Sequence, residues 1–480
     1  MSKKIKTLII TLGVLVLLGG GYYGATVWQK KKAQSAQSSS YEPSPRIGNL
    51  ESSKLVKIEV PGIVLEKKDN VWELTSLNGE APPAGITLEQ SPIQSMTYSL
   101  ASIWIDRTID EEPEDLSVYG LDQPSARAVV TDSDGQKAVY LLGDMTPSRT
   151  SYYVMEEGDP KVYIVSTYSA ENMIFTLDKI RSKNLFGDFQ IFDLTDIRLE
   201  LPGNLVAINP KPEPVPLHLN TSFSSHVITS PYKLARGVDG ESLDKLLTPF
   251  KNLYIADFVD DAPSSLAPYG LDKPVRAYLK TNEGDSLDLL IGSPVDDKHY
   301  AKLADAPGVF TLNGLDPVVN VKPFSIIDKF ALLVNIDNVE HLSVIGGDRD
   351  LNVDFQGKGD DGVYFLNGKK AETKSFKTFY QAVIGLLSDA EIPEGASIPI
   401  AAEPSQGFLD LIRNPQDTGG SGNISIEYLL DDPPDSWASI TLIPYNRDFY
   451  ALRQDGTMEF LISRNQVRKI YETADAMIYE

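Results

Sequence analysis

The sequence predicts an α+β protein: tandem copies of one module, each an antiparallel sheet with one packed helix, preceded by an N-terminal transmembrane helix. Three observations support this prediction. The chain has 480 residues, which is too long for a single hydrophobic core and suggests about three domains. A seven-residue motif and its flanks recur 150 residues apart. Near the N-terminus, 21 consecutive residues carry no charge.

The uncharged run Leu8–Trp28 is the predicted membrane anchor. As a helix it rises about 32 Å, enough to cross the hydrocarbon core of a bilayer. Tyr22, Tyr23 and Trp28 lie near its C-terminal end, where aromatic rings favour the membrane interface. A cleaved signal peptide is the alternative, because lysines precede the apolar run, but the sequence after it offers no clean A-x-A cleavage site.

The anchor determines the predicted topology. Residues 1–32 form the cytoplasmic tail and transmembrane helix, and residues 33–49, rich in Ser, Gln and Pro, form a flexible linker. Lysines flank the helix on both sides, so the positive-inside comparison is nearly a tie. We favour a cytoplasmic N-terminus, because a short tail and a large exported domain are the simplest use of one N-terminal helix. The predicted location is the cell membrane, single-pass, with the large C-terminal domain extracytoplasmic.

The predicted ectodomain is strongly acidic and contains no cysteine. The whole chain has 44 basic and 67 acidic residues, and six of the lysines precede Tyr41. The remainder carries 38 basic against 67 acidic residues, a net charge of −29. Such a surface repels nucleic acid and anionic headgroups, so nucleic acid is not an expected partner. The absence of cysteine excludes disulfides, thiolate metal sites and a cysteine nucleophile.

A repeat with a period near 150 residues divides the ectodomain. The heptamer VYGLDQP at Val118–Pro124 matches PYGLDKP at Pro268–Pro274, and Tyr119 and Tyr269 are 150 residues apart. The flanks match as well, since IWIDRTID precedes the first heptamer and LYIADFVD precedes the second at the same distance. In place of the heptamer, a third copy has EPSQGFLDLIRNP, where Phe408 replaces the tyrosine.

These repeats predict three modules of one design. Modules 1 and 2 are predicted at residues 50–190 and 191–332, and a divergent module 3 at residues 333–480. Each is expected to open with short strands of alternating polarity, such as KLVKIEV and GIVLEKK, followed by one amphipathic helix and three or four further strands. Strands joined by hairpins with a single helix favour an antiparallel sheet with the helix on one face.

Each predicted module contains a characteristic strand and a helix. An aromatic-x-Leu strand is predicted at Trp72–Leu74, Tyr232–Leu234 and Tyr364–Leu366. The helices are predicted at Pro92–Ile105, Ser242–Ile255 and Phe376–Leu387. In the second of these helices the leucines follow helical spacing, and Ser242 is the expected N-cap.

The two YGLD-x-P heptamers are the candidate functional loops. Glycine suits a turn with positive φ, leucine a core contact, and proline the start of the next strand. The aspartate is expected to bond the backbone of the turn. Two interpretations stay open: a structural turn, or a loop that recognises a ligand. The candidate residues are Tyr119, Gly120, Leu121, Asp122 and Pro124 in module 1 and Tyr269, Gly270, Leu271, Asp272 and Pro274 in module 2.

No catalytic residue, metal or cofactor is predicted. The four histidines, His218, His226, His299 and His341, form no metal-binding spacing. No G-x-S-x-G elbow, Walker loop or G-x-G-x-x-G motif occurs. The segment DRDLNVD begins like a calcium loop but lacks the glycine and the glutamate that such a loop needs. Carboxylates are abundant and a glycosidase needs only two, so an unmarked carboxylate pair stays an alternative.

Several of these motifs occur in the same order in a known family. With its Trp72-x-Leu strand, its YGLD-x-P heptamers and the LLG and YY strands that follow, the sequence resembles the DUF4340 family, a domain of unknown function. The resemblance covers Leu50 to about Leu332 well and the third copy weakly. It implies a membrane-tethered extracytoplasmic protein, often accompanying ABC-type export or gliding-type transporter components. It implies no catalytic residues.

We therefore expect a non-enzymatic, membrane-anchored binding or scaffold protein, an accessory component of an ABC-type transport system. Its expected partners are the membrane, through the single helix, and a protein of the cell envelope such as an ABC transporter subunit. The alternative is a hydrolase that acts on envelope polysaccharide through a carboxylate pair. Adjacent ATPase and permease genes would favour the first function, and a deep cleft with two converging carboxylates would favour the second.

Overall fold

The computed structural model describes residues 45–220, 224–347, 349–396, 422–431 and 434–480. The chain divides into two compact units. Unit 1 holds the residues up to Pro82 and Thr87–Arg181, and unit 2 holds Pro83–Ile86 and Ser182–Glu480. The predicted transmembrane helix and linker up to residue 44 lie outside the described residues. Among the residues that are described, no helix has the length and apolar character needed to cross a membrane.

Unit 1 contains one large sheet. Its strands are β1 (Arg46–Ile47), β2 (Leu55–Val60), β3 (Ile63–Lys68), β4 (Val71–Leu77), β5 (Ile103–Trp104), β6 (Arg107–Asp110), β7 (Ala126–Asp132), β8 (Lys137–Met145), β9 (Ser151–Glu156) and β10 (Val162–Ser166). Its α-helices are α1 (Gln90–Ala101) and α2 (Thr167–Glu171). Eight strands form an antiparallel sheet in the order β4-β3-β2-β7-β8-β9-β10-β6.

Unit 2 begins with a second sheet. Its strands are β11 (Asn184–Phe186), β12 (Leu194–Leu201), β13 (Asn204–Pro210), β14 (His226–Ser230), β15 (Arg236–Gly237), β16 (Leu253–Tyr254), β17 (Phe258–Asp260), β18 (Val275–Thr281), β19 (Ser286–Val295), β20 (Lys298–Leu303) and β21 (Val309–Asn313). The helices in this part are α3 (Leu217–Asn220), α4 (Gly240–Leu247) and α5 (Asp316–Val319). Nine of these strands form an antiparallel sheet in the order β15-β14-β13-β12-β18-β19-β20-β21-β17, and β11 and β16 pair separately as a two-stranded sheet.

The third sheet completes unit 2. Its strands are β22 (Val339–Gly346), β23 (Leu351–Gln356), β24 (Val363–Leu366), β25 (Lys369–Ala371), β26 (Ala390–Glu391), β27 (Ile424–Asp431), β28 (Pro434–Pro444), β29 (Phe449–Gln454) and β30 (Thr457–Ser463). Its helices are α6 (Thr373–Ile384) and α7 (Arg464–Asp475). This antiparallel sheet has the order β25-β24-β23-β22-β27-β28-β29-β30-β26.

The three sheets share one strand order. In each, the first long strand pairs with the strand that follows the helix-containing connection: β2 with β7, β12 with β18, and β22 with β27. The strands before the helix extend one side of the sheet, and the four strands from β7, β18 or β27 onward extend the other side as a meander. A short strand that lies between the helix and the meander in sequence, β6, β17 or β26, forms the edge beyond this meander. The second and third sheets each add one edge strand, β15 and β25. The prediction of repeated, mainly antiparallel modules is confirmed.

The main helix of each module buries an apolar stripe. Its buried residues recur at three- and four-residue spacing, which is the pattern of a helix with one face against a core. The stripes are Ile93, Met96 and Leu100 in α1, Leu243, Leu246 and Leu247 in α4, and Phe376, Phe379 and Val383 in α6. In unit 2 one continuous hydrophobic core includes residues of both sheets.

The helix of module 1 ends earlier than the sequence predicts. Instead of continuing to Ile105, α1 stops at Ala101 and the chain forms β5. Ile103 and Ile105 are buried, whereas Trp104 between them is 43% exposed, which is the alternation of a strand. Ile103 and Ile105 are compatible with the last turn of an amphipathic helix as well as with a strand. The sequence pattern alone therefore does not show where α1 ends and β5 begins. The same early end occurs before β16 in module 2 and after α6 in module 3.

The N-cap predicted at Ser242 is wrong. The structure places Asp239 at this position, and its carboxylate accepts a hydrogen bond from the backbone N–H of Ser242 at 2.8 Å. These bonds lower the pKa of Asp239. Helix α4 therefore begins at Gly240, because the carboxylate three residues before Ser242 satisfies a free N–H of the first turn.

One of the three predicted aromatic-x-Leu strands is wrong. Trp72–Leu74 lies in β4 and Tyr364–Leu366 lies in β24, but Tyr232–Leu234 lies in the loop between β14 and β15. Strand β14 stops at Ser230, directly before Pro231, whose nitrogen has no hydrogen to donate to a ladder. The tyrosine in this loop is used for contacts with the third sheet.

The loop between β14 and β15 joins the two sheets of unit 2. The Tyr232 hydroxyl donates to the Glu391 carboxylate at 2.6 Å, and its ring lies 5.0 Å from that of Phe460. Arg236 is buried, donates from Nη1 to Gln454 at 2.5 Å, and holds its guanidinium carbon 4.7 Å from the centre of the Phe460 ring. Burial lowers the pKa of Arg236. These contacts fix the second sheet against the third.

A second repeated feature concerns the segment that leads into each module. Arg46 and Ile47 of β1 pair with β5, just after α1, and the guanidinium of Arg46 lies 3.5 Å from the centre of the Trp104 ring. In module 2, β11 pairs with β16 in the same way. In module 3 the equivalent contact is a single bridge between Phe330 and Leu387. Each incoming segment is thus held by the residues that follow the main helix.

We predict that Arg236→Ala destabilises unit 2 by about 3 kcal/mol. The substitution removes the cation–π contact and leaves the buried amide of Gln454 without its partner. Urea unfolding of the full chain, with hydrogen exchange on β28–β30, measures the loss. Lys233→Ala is the matched control, because Lys233 is exposed and contributes only its backbone N–H to Glu459. Equal unfolding of both variants would contradict this role of Arg236.

Candidate functional site

Each YGLD-x-P heptamer closes a short 3₁₀ helix. These helices span Leu116–Tyr119 and Ala267–Tyr269, and Gly120 and Gly270 follow them in the left-handed conformation, with φ of 65° and 67°. In module 1 the N–H of Gly120 donates three residues back at 3.2 Å, and that of Leu121 donates five residues back at 3.0 Å. Module 2 has the same pair of bonds. This is a Schellman closure, which glycine completes without strain.

The tyrosine of each heptamer is bonded to an aspartate nine residues earlier. Tyr119 donates to Asp110 at 2.9 Å, and Tyr269 donates to Asp260 at 3.0 Å. The same two carboxylates accept a backbone N–H two residues further on, at 3.1 and 3.0 Å. The hydrogen bond to aspartate raises the pKa of both tyrosines. Each ring also stands edge-to-face against a second tyrosine: Tyr153 at 5.1 Å in module 1 and Tyr300 at 5.2 Å in module 2.

A glycine on the following hairpin lets the heptamer backbone approach the sheet. A Cβ added to Gly143 would lie 2.2 Å from the carbonyl oxygen of Tyr119, and one added to Gly292 would lie 2.1 Å from that of Tyr269. Because a backbone atom blocks the space, no change of rotamer relieves the contact. The buried leucines beside these glycines are Leu121 and Leu271.

The heptamer aspartates do not bond the turn backbone, contrary to the prediction. Asp122 and Asp272 are exposed, and neither makes a hydrogen bond or ion pair within the described residues. At the opposite end of the 3₁₀ helix in module 1, Asp115 is the N-cap and accepts a backbone N–H at 2.9 Å, and its hydrogen bonds lower its pKa. Pro124 and Pro274 are half-buried and stand just before β7 and β18, as expected for residues that start a strand.

These contacts describe how the heptamers work as turns. Their tyrosine hydroxyls and the partner aspartates are bonded to each other, and the exposed parts are side chains such as Val118, which is 68% exposed, and Asp122. Recognition of a ligand by these loops stays a hypothesis. The predicted counterpart in module 3, with Phe408, lies outside the described residues. No cluster of three or more potential metal ligands occurs in the described ranges.

We predict graded effects for alanine at three glycines of module 1. Gly143→Ala is expected to destabilise the chain by about 3 kcal/mol, because the new Cβ meets a backbone carbonyl. Gly120→Ala is expected to cost about 1–2 kcal/mol, since its φ is positive and only the Asp144 side chain has to move. Gly135→Ala, with positive φ and nothing within 4 Å, is the control for backbone strain alone. Urea unfolding checks the order, and a Gly143 variant no worse than the control would contradict the close approach.

A separate set of polar side chains lies on the third sheet. His341 and Ser343 alternate along β22 with core residues, so they lie on the opposite, outer face of the sheet. His341 Nδ1 is 2.9 Å from Asp354 Oδ1, and His341 Nε2 is 3.0 Å from Ser343 Oγ. The Ser343 hydroxyl also lies 3.0 Å from Asn352 Oδ1. Sequence reasoning missed this group, because it follows no linear motif.

Glu427 borders this group on the neighbouring strand. It pairs directly with Ser343 in the ladder between β22 and β27. It is only 8% exposed, and its Oε2 has no hydrogen-bond partner within the described residues. Burial raises its pKa to about 7. A carboxyl that is neutral at mild acidity therefore lies beside the serine.

We predict that Glu427→Gln stabilises the chain in a pH-dependent manner. Because the folded pKa of Glu427 lies at about 7, above the ordinary 4.5, the folded chain is favoured when the carboxyl is protonated. Its stability falls as pH rises from 4.5 to about 7 and stays reduced above. Removing the charge should gain about 3 kcal/mol near pH 8 and little near pH 4.

The measurement for this prediction is urea unfolding at both pH values. Glu340→Gln is the control, because Glu340 lies on β22 but is exposed. A gain at pH 8 that both variants share, or no gain for Glu427→Gln, would contradict the effect of burial.

The calcium-like segment DRDLNVD runs through the turn between β22 and β23. Asp350 accepts the backbone N–H of Gly346 at 2.9 Å, and Asp354 is the partner of His341. Asp348 lies outside the described residues. The carboxylates of Asp350 and Asp354 in this segment are therefore engaged in the hairpin turn and in the polar group on the outer face.

Comparison with known proteins places the fold in a family. Residues 51–215 and 227–393 match the sequence model of the family described as Domain of unknown function (DUF4340). The chain belongs to the DUF4340 family. In this DUF4340 protein each match extends from one sheet into the next: the first ends after β13, and the second runs from β14 past β26. Both heptamers lie within the matched residues. Neither a curated protein nor a solved structure matches the chain.

Proposed function

We propose that this DUF4340 protein is a binding or scaffold protein of the cell envelope, in which modules 1 and 2 are non-enzymatic. Its N-terminal helix holds it in the membrane, and it is an accessory component of an ABC-type transport system. The observation that carries the proposal is the equivalence of modules 1 and 2. The polar contacts that both heptamers repeat, Tyr119 with Asp110 and Tyr269 with Asp260, hold turns together. A duplicated body whose shared polar groups serve its own structure suits binding better than catalysis.

The membrane part of the proposal rests on the sequence. Leu8–Trp28 has the length and composition of a spanning helix, and a Ser/Gln/Pro-rich linker follows it. The first described strand, β1, lies within the predicted linker, so the linker prediction is wrong at Arg46–Ile47. The connection with ABC-type transport comes from the family resemblance.

Charge indicates the kind of partner. Beyond Tyr41 the chain carries a net charge of −29, so a protein partner with a basic surface is favoured in both encounter rate and orientation. The same charge disfavours contact with anionic lipid headgroups. The acidic body therefore suits a protein partner that stands outside the bilayer.

The experiment compares the full chain with a chain that begins at Tyr41, both expressed in the native host. The full chain is expected to stay with membranes after carbonate washing and to co-purify with subunits of an ABC transporter after crosslinking. The shorter chain lacks the spanning helix and is expected to be soluble and monomeric. Release of a mature chain that begins after Ala36 would show a cleaved signal peptide. A full chain that stays in the membrane but captures no transporter subunit would contradict the accessory role.

A further inference from the structure

Beyond this scaffold role, we propose that the outer face of the third sheet carries an acyl-transfer site with Ser343 as its nucleophile. His341 is the general base, and Asp354 positions the histidine. The contacts that carry the proposal are His341 Nε2 to Ser343 Oγ at 3.0 Å and His341 Nδ1 to Asp354 Oδ1 at 2.9 Å. A serine, a base and a carboxylate connected in this order form the arrangement that activates a hydroxyl.

The carboxylate selects the useful tautomer of the histidine. Asp354 can only accept a hydrogen bond when it is ionised, so the hydrogen of a neutral His341 lies on Nδ1. Nε2 is then unprotonated and accepts the hydrogen of the Ser343 hydroxyl. In the structure the Ser343 hydroxyl donates to Asn352 Oδ1. When the amide flips, its oxygen and nitrogen exchange places, so the amide donates to the serine oxygen and the hydroxyl hydrogen is left for His341.

The sheet fixes these side chains. His341 and Ser343 are two residues apart on β22, so they share one face. Asp354 lies directly opposite His341 on β23, and Asn352 lies directly opposite Ser343. Direct cross-strand neighbours have Cβ atoms about 5 Å apart, which suits contacts between short side chains. A site on paired strands is also held more firmly than one on a loop.

Two groups beside the serine can stabilise an oxyanion. Asn352 on β23 carries an amide and Glu427 on β27 carries a carboxyl, and both lie directly opposite Ser343 in the strand ladders. Burial holds the pKa of Glu427 at about 7, so a share of this carboxyl is protonated near neutral pH. A neutral carboxylic acid that donates to a developing negative charge is an established way to stabilise it.

The reaction balances without a cofactor. The Ser343 oxygen bonds to the acyl carbon of an ester while its proton moves to His341 Nε2. The bond from that carbon to the alcohol oxygen then breaks, and the same proton moves to the leaving alcohol. Water hydrolyses the acyl-serine by the same steps and restores the hydroxyl.

Exposure and charge define the substrate class. Ser343 is 6% exposed, whereas the side chain of His341 is 29% exposed. This burial favours a small acyl group, such as acetyl, at the serine, with the alcohol part of the ester outside. The Asp354 carboxylate adds negative charge beside the site, so a neutral or cationic ester is favoured over an anionic one.

The experiment uses the absence of cysteine from the chain. Ser343→Cys in the full chain introduces the sole thiol, and its alkylation by iodoacetamide is measured between pH 6 and 8. A thiol beside an imidazole base is more easily ionised, so we expect alkylation near pH 6.5 at least tenfold faster than for Ser439→Cys. Ser439 is a matched control, because it also pairs with Glu427 but is exposed.

His341→Gln in the Ser343→Cys background is expected to remove this advantage. The unaltered chain is then treated with p-nitrophenyl acetate, and mass spectrometry is expected to place the acetyl group on Ser343, with at least tenfold less in Asp354→Asn. Thermal unfolding of each variant verifies the fold. A thiol at position 343 that reacts no faster than the control, or acetylation of Ser343 that is unchanged in Asp354→Asn, would overturn the proposal.

Discussion

Every module depends on one pairing between strands that are distant in the chain. In module 1, Leu55 of β2 stands opposite Asp132 of β7, and the helix and several turns lie between them in sequence. Without this pairing the strands before and after the helix are two separate hairpin sets, each with an uncovered apolar face. Closing so long a loop costs conformational entropy, which the buried core offsets. The heptamer turn lies directly before β7 and leads the chain into the strand that makes this pairing.

Local patterns predicted much of the fold, and tertiary contacts account for the errors. Antiparallel strands and the main helices follow from apolar spacings of two and of three to four residues. The aspartate partners of the heptamer tyrosines were not predicted, although both copies end their flanking segment with Asp110 or Asp260. The loop at Tyr232 was misassigned as a strand, since its aromatic side chain packs against a sheet far along the chain. The close approach of the heptamer backbone to Gly143 could have been inferred from the LLG motif, because a glycine within a strand often marks such an approach.

The heptamers could be located from the sequence, but the role of each residue could not. Glycine, leucine and proline take the places that their chemistry indicates. The aspartate does not, because the residue two positions further on is Pro124 or Pro274, which has no N–H to donate. The outer-face group was invisible for a different reason: His341 and Ser343 show only H-x-S spacing, and Asp354 joins them through strand register. Register depends on the whole sheet, so no linear motif reports it.

The pairing of β1 with β5 has a mechanical consequence. Whatever pulls on the chain before Pro45 reaches the first sheet through this two-residue strand, through the Leu50 N–H bond to the carbonyl of Ala101, and through the stacking of Arg46 on Trp104. Tension is therefore borne first at the end of α1 and only afterwards by β2, at the centre of the sheet. Because these contacts around β1 bear the force first, they protect the pairing of β2 with β7 from tension transmitted along the chain.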